Sequence, residues 1–365
     1  MAEEKKPSGE KNSGKKKVDT ASFKCSNCGA NMTFSPETQT LYCSHCGNTV
    51  DFEKNQAKEL NIEQGFSKDR LWESSEVTLF RCGNCGAEIV MSGDEIAKNC
   101  PFCGTAHVQK TEELPGLKPS AVLQFSFGEE KAVKLASDWA KKRFFAPRKF
   151  KKNINTDNLR GVYMPSFTFD SKTYSTYEGR IGIEHTHTVG SGKDTRTVTT
   201  VEWQHISGTY SFDFDDVLVS ASKRLGQKTT SKISPFDTNA SKVYDEKFIS
   251  GFMTYRYDKD LGVCWGEAKG IMDKIIRRKI LSKYSYDRLD YLNVSTTHSD
   301  VTYKYVMLPV YIGNFNYANK TYNFYVNGSN GKVYGKTPKS ALKIAGVVLL
   351  GVAVAALLLW FFLKD

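Results

Sequence analysis

Eight of the nine cysteines form four Cys-x-x-Cys pairs in the first third of the chain. The pairs are Cys25/Cys28, Cys43/Cys46, Cys82/Cys85 and Cys100/Cys103. Fourteen residues separate the two pairs within each half, and the second half repeats the first at a constant offset of 57 residues. Two residues between thiols let one tight turn direct both sulfurs at a tetrahedral ion, which is typical of four-thiolate zinc sites. The spacing predicts two zinc ions per chain.

Both predicted zinc sites are structural. Four cysteine sulfurs complete a tetrahedral shell and leave no position for a reactive water. A glycine follows every pair, and glycine forms left-handed turns without a Cβ penalty. One alternative is that His45 replaces a cysteine as a ligand of the first ion, but the spacing of Cys43 and Cys46 favours the thiols.

The elements that must position these cysteines are short. Fourteen intervening residues suffice for one hairpin that returns the chain to the metal, so residues 21–50 and 77–110 are predicted as two zinc ribbons. Each is too small to bury a useful core, and metal binding would supply its folding free energy, on the order of 10–16 kcal/mol. A linker at 111–120, marked by two prolines and a glycine, predicts that the ribbons fold independently of the remainder of the chain.

The rest of the chain completes the predicted domain organisation. The other segments are a disordered tail (1–20), a spacer (51–76), the linker (111–120), an α+β domain (121–337), a basic juxtamembrane segment (338–343) and a transmembrane helix (344–363). The predicted fold class is therefore small tandem zinc ribbons (β), then an α+β domain with an antiparallel sheet, plus one C-terminal transmembrane α-helix.

Periodicity supports the α+β assignment. Alternation with a period of two over 161–221 and 301–334 predicts antiparallel strands, and apolar spacing predicts helices over 129–145 and 258–281. Cys264 lies on the apolar stripe of the second helix. No neighbour in the sequence would activate its thiol, so we interpret it as a buried core residue.

Three histidines in the strand region form a second metal candidate. The hairpin around Gly190 to Lys193 is predicted to pair residues whose numbers sum to about 383, so that His185 faces Val198. His185 and His187 then share one face, but no third ligand lies opposite them and His205 lies seven residues further along the sheet. We interpret all three as ordinary strand histidines.

Residues 344–363 are twenty residues without a charged side chain. As a helix they would span about 30 Å, the thickness of the hydrocarbon layer. Four lysines precede the segment between 332 and 343, whereas only Lys364 follows it, offset by Asp365. This bias predicts a tail-anchored, single-pass protein of the cell membrane with the bulk of the chain in the cytoplasm.

Charge is distributed unevenly. Residues 21–110 carry eight Lys and Arg against eleven Asp and Glu, whereas the whole chain has a net charge of +11. An acidic ribbon region argues against nucleic-acid binding, because phosphate neutralisation supplies most of that affinity. The run Lys141 to Lys152 holds seven cations and three phenylalanines without an acid. It is typical of contact with anionic lipid headgroups, of contact with RNA or DNA, or of a solvated helix end.

Two segments carry a family resemblance. Met164-Pro-Ser-Phe-Thr-Phe-Asp170 and the segment from Tyr322 to Gly335, after paired Cys-x-x-Cys-Gly motifs, resemble bacterial membrane proteins labelled as TFIIB-type or double zinc-ribbon proteins. The resemblance covers nearly the whole chain from Phe23. It implies a cytosolic scaffold, encoded in some genomes beside SPFH-domain and phage-shock-like envelope-stress proteins. No helicase or transcription-factor core follows the ribbons.

Three classes of function remain open. The first is a membrane-anchored adaptor or scaffold that recruits a cytosolic protein partner to the inner face of the membrane. The second is a membrane-tethered nucleic-acid-binding protein, which the basic residues favour and the acidic ribbons oppose. The third is an enzyme with a site in the β domain, although the sequence holds no HExxH, GxSxG, P-loop or paired-carboxylate motif. We predict the adaptor and no enzymatic activity.

Overall fold

The computed structural model describes most of the chain. The described ranges are 23–66, 77–92, 100–106, 108–111, 116–152, 159–190, 196–317 and 320–364. The predicted tail (1–20) lies outside them, as do positions 67–76 of the spacer and 112–115 of the linker. The domain boundaries drawn from the sequence stay predictions.

Short strands surround three long ones. The strands are β1 (Thr33–Ser35), β2 (Thr40–Tyr42), β3 (Thr49–Val50), β4 (Leu60–Asn61), β5 (Val77–Cys82), β6 (Glu88–Ser92), β7 (Val108–Thr111), β8 (Ala121–Val122), β9 (Arg160–Val189), β10 (Arg196–Ser220), β11 (Lys242–Val243), β12 (Met253–Tyr255), β13 (Arg288–Tyr317), β14 (Lys320–Asn327) and β15 (Val333–Gly335). The helices are α1 (Glu129–Lys141), α2 (Arg148–Lys152), α3 (Gly226–Ile233), α4 (Glu246–Ile249), α5 (Leu261–Leu281) and α6 (Ala341–Lys364). Single 3₁₀ turns lie at Ile62–Phe66 and Thr238–Ala240.

Within the described ranges, β1 to β3 form a small sheet and the other strands form one mixed sheet. Its centre is β9, which pairs antiparallel with β10 on one edge and with β13 on the other. The sequence predicted a purely antiparallel sheet, whereas β8 pairs parallel with β13 and β12 pairs parallel with β9. The alternation from Ala121 to Phe127 predicts a strand where β8 lies, but alternation does not show whether a strand pairs parallel or antiparallel. Strand β12 is only three residues long and was not predicted.

Helix α5 covers one face of the long strands. Asp260 caps it, because its side chain accepts a hydrogen bond from the backbone N–H of Val263 at 2.8 Å. The predicted stripe is buried at three- and four-residue spacing, which makes the helix amphipathic. Its fully buried members include Leu261, Cys264, Ala268 and Met272. Cys264 is therefore a core residue, as predicted, and burial raises the pKa of its thiol to about 12.

The register of the β9–β10 hairpin differs from the prediction. His185 pairs with Thr200 rather than Val198, and His205 pairs with Arg180 rather than position 178. The last pair of this ladder within the described residues is Val189↔Arg196, and positions 191–193 of the predicted tip lie outside those residues. A shift of two residues keeps every side chain on its expected face, because strands have a period of two.

Helix α6 is apolar on all sides. Within Ala341–Leu363, an 18-residue window has a mean hydropathy of 2.7, and none of that window is buried against the rest of the protein. At about 1.5 Å per residue, such a helix is long enough to cross a bilayer. It is the one helix in the described part of the chain with the length and composition of a membrane span.

Candidate metal centres

The eight paired cysteines assemble into two groups of four. We call Cys25, Cys28, Cys43 and Cys46 the first cluster, and Cys82, Cys85, Cys100 and Cys103 the second cluster. In each cluster, the four sulfurs lie within 4.8 Å of one another. The groupings are those predicted from spacing, and His45 belongs to neither.

The same turn forms at all four Cys-x-x-Cys pairs. In each turn, the N–H of the glycine donates to the carbonyl of the first cysteine, as Gly29 does to Cys25 at 2.8 Å. The N–H of that cysteine donates to the carbonyl five residues on, as Cys25 does to Ala30 at 2.8 Å. The four glycines have φ between 68° and 76°, a conformation that residues with a Cβ rarely adopt. The glycine after each pair is thus part of the turn that brings both thiols to one side.

The internal duplication extends to the strands beside the turns. The bridge between Lys24 and Asn31 in the first half corresponds, at the offset of 57, to the pair Arg81↔Glu88 in the second. In the first cluster, β1 to β3 flank the turns. In the second, β5 leads into a turn and β6 leaves it, while β7 follows the other turn and pairs with β5. Each half therefore places two turns side by side.

The distances between sulfurs fit one tetrahedral ion per cluster. In the first cluster Cys25 and Cys46 sulfurs lie 3.5 Å apart, and in the second Cys82 and Cys103 sulfurs lie 3.7 Å apart. A tetrahedral ion with bonds of about 2.3 Å to sulfur separates its sulfurs by about 3.8 Å. A disulfide would bring them to about 2.05 Å. All eight are free cysteines, and two clusters can each hold a metal ion.

Backbone N–H groups stabilise thiolates in the first cluster. Hydrogen bonding from the backbone of Asn27 lowers the pKa of Cys25 to about 6, and the backbone of Cys46 lowers the pKa of Cys43. In the second cluster, burial raises the pKa of Cys85 and of Cys100. A bound cation would offset that desolvation, because its charge favours the thiolate form.

The first cluster is peripheral. Its sulfurs have a small apolar core of their own, formed by Cys25, Cys43, Met32 and Leu41. Cys28, Cys46 and the residues inside both pairs are exposed. The cluster is attached to the larger domain by Phe34, whose ring packs on Phe248 at 5.5 Å. The two turns of the first cluster therefore face outward.

The second cluster is part of an apolar core that it shares with the large sheet. Its buried cysteines Cys82 and Cys100 belong to the same apolar cluster as Val306 and Leu308 of β13. Strand β6 pairs with β12, and Phe102, inside the last Cys-x-x-Cys pair, packs on Tyr255 at 5.0 Å. The strands and one turn of the second predicted ribbon thus complete the sheet and core of the following domain, whereas the sequence predicted that this ribbon folds independently.

The strand histidines do not assemble a site. His185 Nε2 lies 3.1 Å from Glu202 Oε2 on the neighbouring strand, and both side chains are exposed. His298, on β13, donates to or accepts from Ser171 Oγ at 3.2 Å, and burial lowers its pKa. Within the described residues, no group of three metal-binding side chains includes a histidine. The prediction of ordinary strand histidines is consistent with these contacts.

An ionic cluster around the buried Lys304 was not predicted from the sequence. Lys304 Nζ lies 2.6 Å from Glu59 Oε1 and 3.0 Å from Asp216 Oδ1, and the Lys304 side chain is 4% exposed. Asp170, the last residue of the Met164–Asp170 motif, accepts from the backbone N–H of Asp216 at 2.7 Å and from Thr302 Oγ1 at 3.3 Å. We call Glu59, Asp170, Asp216 and Lys304 the acid–lysine cluster.

The acid–lysine cluster links strands β9, β10 and β13 to the predicted spacer. β-Bulges interrupt the ladder of β9 with β10 at Phe214/Val217 and that with β13 at Ser299/Thr302, on both sides of Asp170. Burial raises the pKa of Glu59 and of Asp170. Burial opposes the charge of Lys304 as well, but hydrogen bonds to Glu59 and Asp216 raise its pKa. The ammonium therefore stays charged and offsets part of the negative charge of the three half-buried carboxylates.

Lys304→Met should lower the free energy of unfolding by about 3 kcal/mol, because it removes the buried counter-ion of three half-buried carboxylates. The measurement is urea unfolding of the full chain in detergent. The matched control is Lys172→Met, which breaks the exposed pair with Asp300 at 2.8 Å. An exposed pair contributes about 0.2–1 kcal/mol, so the control should change little. Equal effects of the two substitutions would contradict a stabilising role for the cluster.

The chain is similar to a known bacterial protein along most of its length. It is 28% identical over 326 residues to a protein of Bacillus subtilis (strain 168) described as "Uncharacterized protein YdjG". The similarity covers 89% of this chain and 92% of that protein, so it extends far beyond the cysteine motifs. No model of a known protein family matches the chain, and no solved structure matches it significantly.

Proposed function

We propose that this protein is a membrane-anchored zinc adaptor, in which the first cluster docks a cytosolic protein partner at the membrane surface. The observation that carries the proposal is the contrast between the two cysteine clusters. In the second cluster, the turn at Cys100–Cys103 is buried or half-buried and packs into an apolar core, and only the turn at Cys82–Cys85 has exposed residues. The first cluster exposes both of its turns, at the edge of a domain that continues into an apolar helix.

Zinc is the metal that fits this donor set best. Four thiolates at tetrahedral spacing select zinc or an iron–sulfur cluster among the common metals, and hard cations such as Mg²⁺ prefer oxygen. Because four sulfurs fill the shell, the ions would hold the turns in place and would not activate water. This supports a binding role and not a hydrolytic one.

The charge of the first cluster favours a protein partner over nucleic acid. Residues 23–50 contain one lysine, Lys24, and one glutamate, Glu37. A surface that binds phosphates needs clustered cations. The exposed turns offer instead small polar side chains such as Ser26 and Ser44 and an imidazole, His45. Such a surface suits the short polar and backbone contacts of a protein interface.

The cytoplasmic orientation is part of the proposal. Free thiolates persist in a reducing compartment. Lys336, Lys339 and Lys343 lie on the domain side of α6, and positive charge is retained on the cytoplasmic side of a span. An envelope-stress or SPFH-type assembly is one setting in which such an adaptor would act, as the family resemblance implies.

Ser26→Arg/Ser44→Arg should abolish partner capture, because it places two large cations on the exposed turns. The measurement is proximity labelling in cells by a biotin ligase fused to the N-terminus of the full chain, followed by mass spectrometry. The matched control is Thr197→Arg/Gln204→Arg, which adds the same charge at exposed positions of β10. Metal content must stay unchanged in both variants.

The same pair of variants separates the proposal from its main rival. Added arginines strengthen binding to nucleic acid, since each phosphate contact by a cation adds to affinity. Partners that disappear with the variant on the turns but persist with the control support the adaptor. Capture of nucleic-acid-associated proteins that grows with the added arginines would reject it. Unchanged partners in both variants would also reject docking through the first cluster.

A further inference from the structure

The turn between α1 and α2 exposes two adjacent phenylalanines. Phe144 is 64% exposed and Phe145 is 42% exposed, and their rings meet edge to face at 5.2 Å. The turn is anchored from within, because Phe150 is fully buried and packs on Phe315 at 5.2 Å. The two rings are therefore presented outward on a fixed turn.

The same turn is bonded to the start of α6. The backbone N–H of Ser340 donates to the carbonyl of Phe145 at 2.8 Å. Lys343 Nζ donates to the carbonyls of Phe144 at 2.9 Å and Ala146 at 2.8 Å, and lies 5.8 Å from the centre of the Phe144 ring. Because the apolar part of α6 begins immediately after Lys343, this geometry holds Phe144 at the level where the helix would enter a bilayer.

Exposed cations surround the two rings. They are Lys141, Lys142, Arg143, Arg148 and Lys149. The nearest preceding acid is Asp138, whose carboxylate lies 3.2 Å from Lys141 Nζ. Lys336 and Lys339, just before α6, are also exposed. Aromatic rings beside clustered cations at the end of an apolar helix match the chemistry of an anionic bilayer surface, which offers acyl chains below and phosphates above.

We propose that residues 141–149 form a lipid-contact surface. Phe144 and Phe145 insert into the interface of the leaflet that α6 enters, and the flanking cations bind the headgroups of anionic phospholipids. The consequence is orientation: a second contact beside the helix fixes how the domain, and with it the first cluster, faces the membrane. The inference needs α6 to cross a bilayer and does not depend on the identity of the protein partner.

The position of the surface distinguishes lipid from nucleic acid. A nucleic acid would use the cations but gains little from two phenylalanines held at the boundary of the apolar helix. In a bilayer, the same rings and the cations act together, because weak apolar insertion and weak electrostatic attraction combine into stable attachment. The proposal thereby gives a role to residues 141–149 of the run Lys141 to Lys152, whose role the sequence left open.

The test is hydrogen exchange of the full chain in nanodiscs, read by mass spectrometry on the peptide that covers 141–150. One set of discs contains phosphatidylcholine alone, and the other contains phosphatidylcholine with phosphatidylglycerol. We expect exchange at least about tenfold slower in the anionic discs, since several cations contribute. Lys142→Gln/Arg148→Gln/Lys149→Gln should remove the difference between the two lipids. Phe144→Ser/Phe145→Ser should accelerate exchange in both.

A matched control removes three charges elsewhere. Lys269→Gln/Lys274→Gln/Arg278→Gln neutralises exposed positions of α5, which packs on the long strands. In this variant, exchange of the 141–150 peptide should still be slower in the anionic discs than in the neutral discs. The same exchange rate in neutral discs, anionic discs and detergent would overturn the proposal. So would protection of the peptide by added RNA in detergent together with no effect of anionic lipid.

Discussion

Exchange of Cys85 for serine should remove one of two bound metal ions and abolish the cooperative unfolding transition of the core. The same exchange at Cys28, its counterpart at the offset of 57, should remove one ion and leave that transition in place. The two cysteines occupy equivalent positions in equivalent turns. Comparing the two variants therefore shows how the packing around each cluster affects stability. The measurements are elemental analysis and thermal unfolding of the full chain in detergent.

The difference follows from where each cluster is packed. Cys85 shares its site with Cys100, 3.6 Å away between sulfurs and 1% exposed, within the apolar core that includes strand β13. A structural zinc site contributes on the order of 10–16 kcal/mol, which matches or exceeds the ~5–15 kcal/mol net stability of a domain. Loss of the second ion should therefore unfold the core. Cys28 is exposed, and its cluster has a separate small core.

Several outcomes would contradict this account. Equal loss of stability in the two variants would mean that the first cluster supports the core as strongly as the second. Iron with visible charge-transfer absorbance, in place of zinc, would reject structural zinc at both sites. A wild-type protein that carries one ion or fewer after expression in metal-replete medium would reject the duplicated centre itself.

The cysteine clusters were predictable because their ligands are local. Two residues within each pair and fourteen between pairs determine which thiols can meet, whatever the rest of the chain does. The long strands were predictable from alternation, although β13 begins at Arg288 and not near Val301. The stretch from Asn293 to Asp300 contains a single apolar side chain, Val294, so its alternation was hard to see.

The acid–lysine cluster could not be predicted in the same way. Glu59, Asp170, Asp216 and Lys304 are far apart in the sequence, and they meet only because two β-bulges align on both sides of β9. A lysine within the apolar run around Lys304 was a signal, since a buried lysine needs a counter-ion. The sequence does not reveal which acids supply it. The contact between Lys343 and the turn at Phe144 is likewise a product of tertiary structure.

Truncation after Ser340 should move nearly all of the protein from the membrane fraction to the soluble fraction. The removed helix contains 23 consecutive residues, Ala341–Leu363, suited to a span, and none of it is buried against the domain. The truncated protein should therefore keep its fold and its two metal ions. The measurement is sedimentation of cell lysates in high salt, because salt screens any residual attraction between the cationic turn and anionic lipid.

Two full-length variants test whether α6 anchors the protein through its apolar character, because both keep the helix in the chain. Leu350→Asp/Leu357→Asp places charges near the middle of the helix, where each costs about 2.5–3.5 kcal/mol of insertion free energy. Leu350→Ala/Leu357→Ala trims the same positions without charge and should stay in the membrane. If the aspartate variant sediments like wild type, or if the truncated protein stays with membranes in high salt, α6 is not the principal anchor. A soluble truncated protein that binds anionic vesicles only at low salt would fit both the helical anchor and the lipid-contact surface at 141–149.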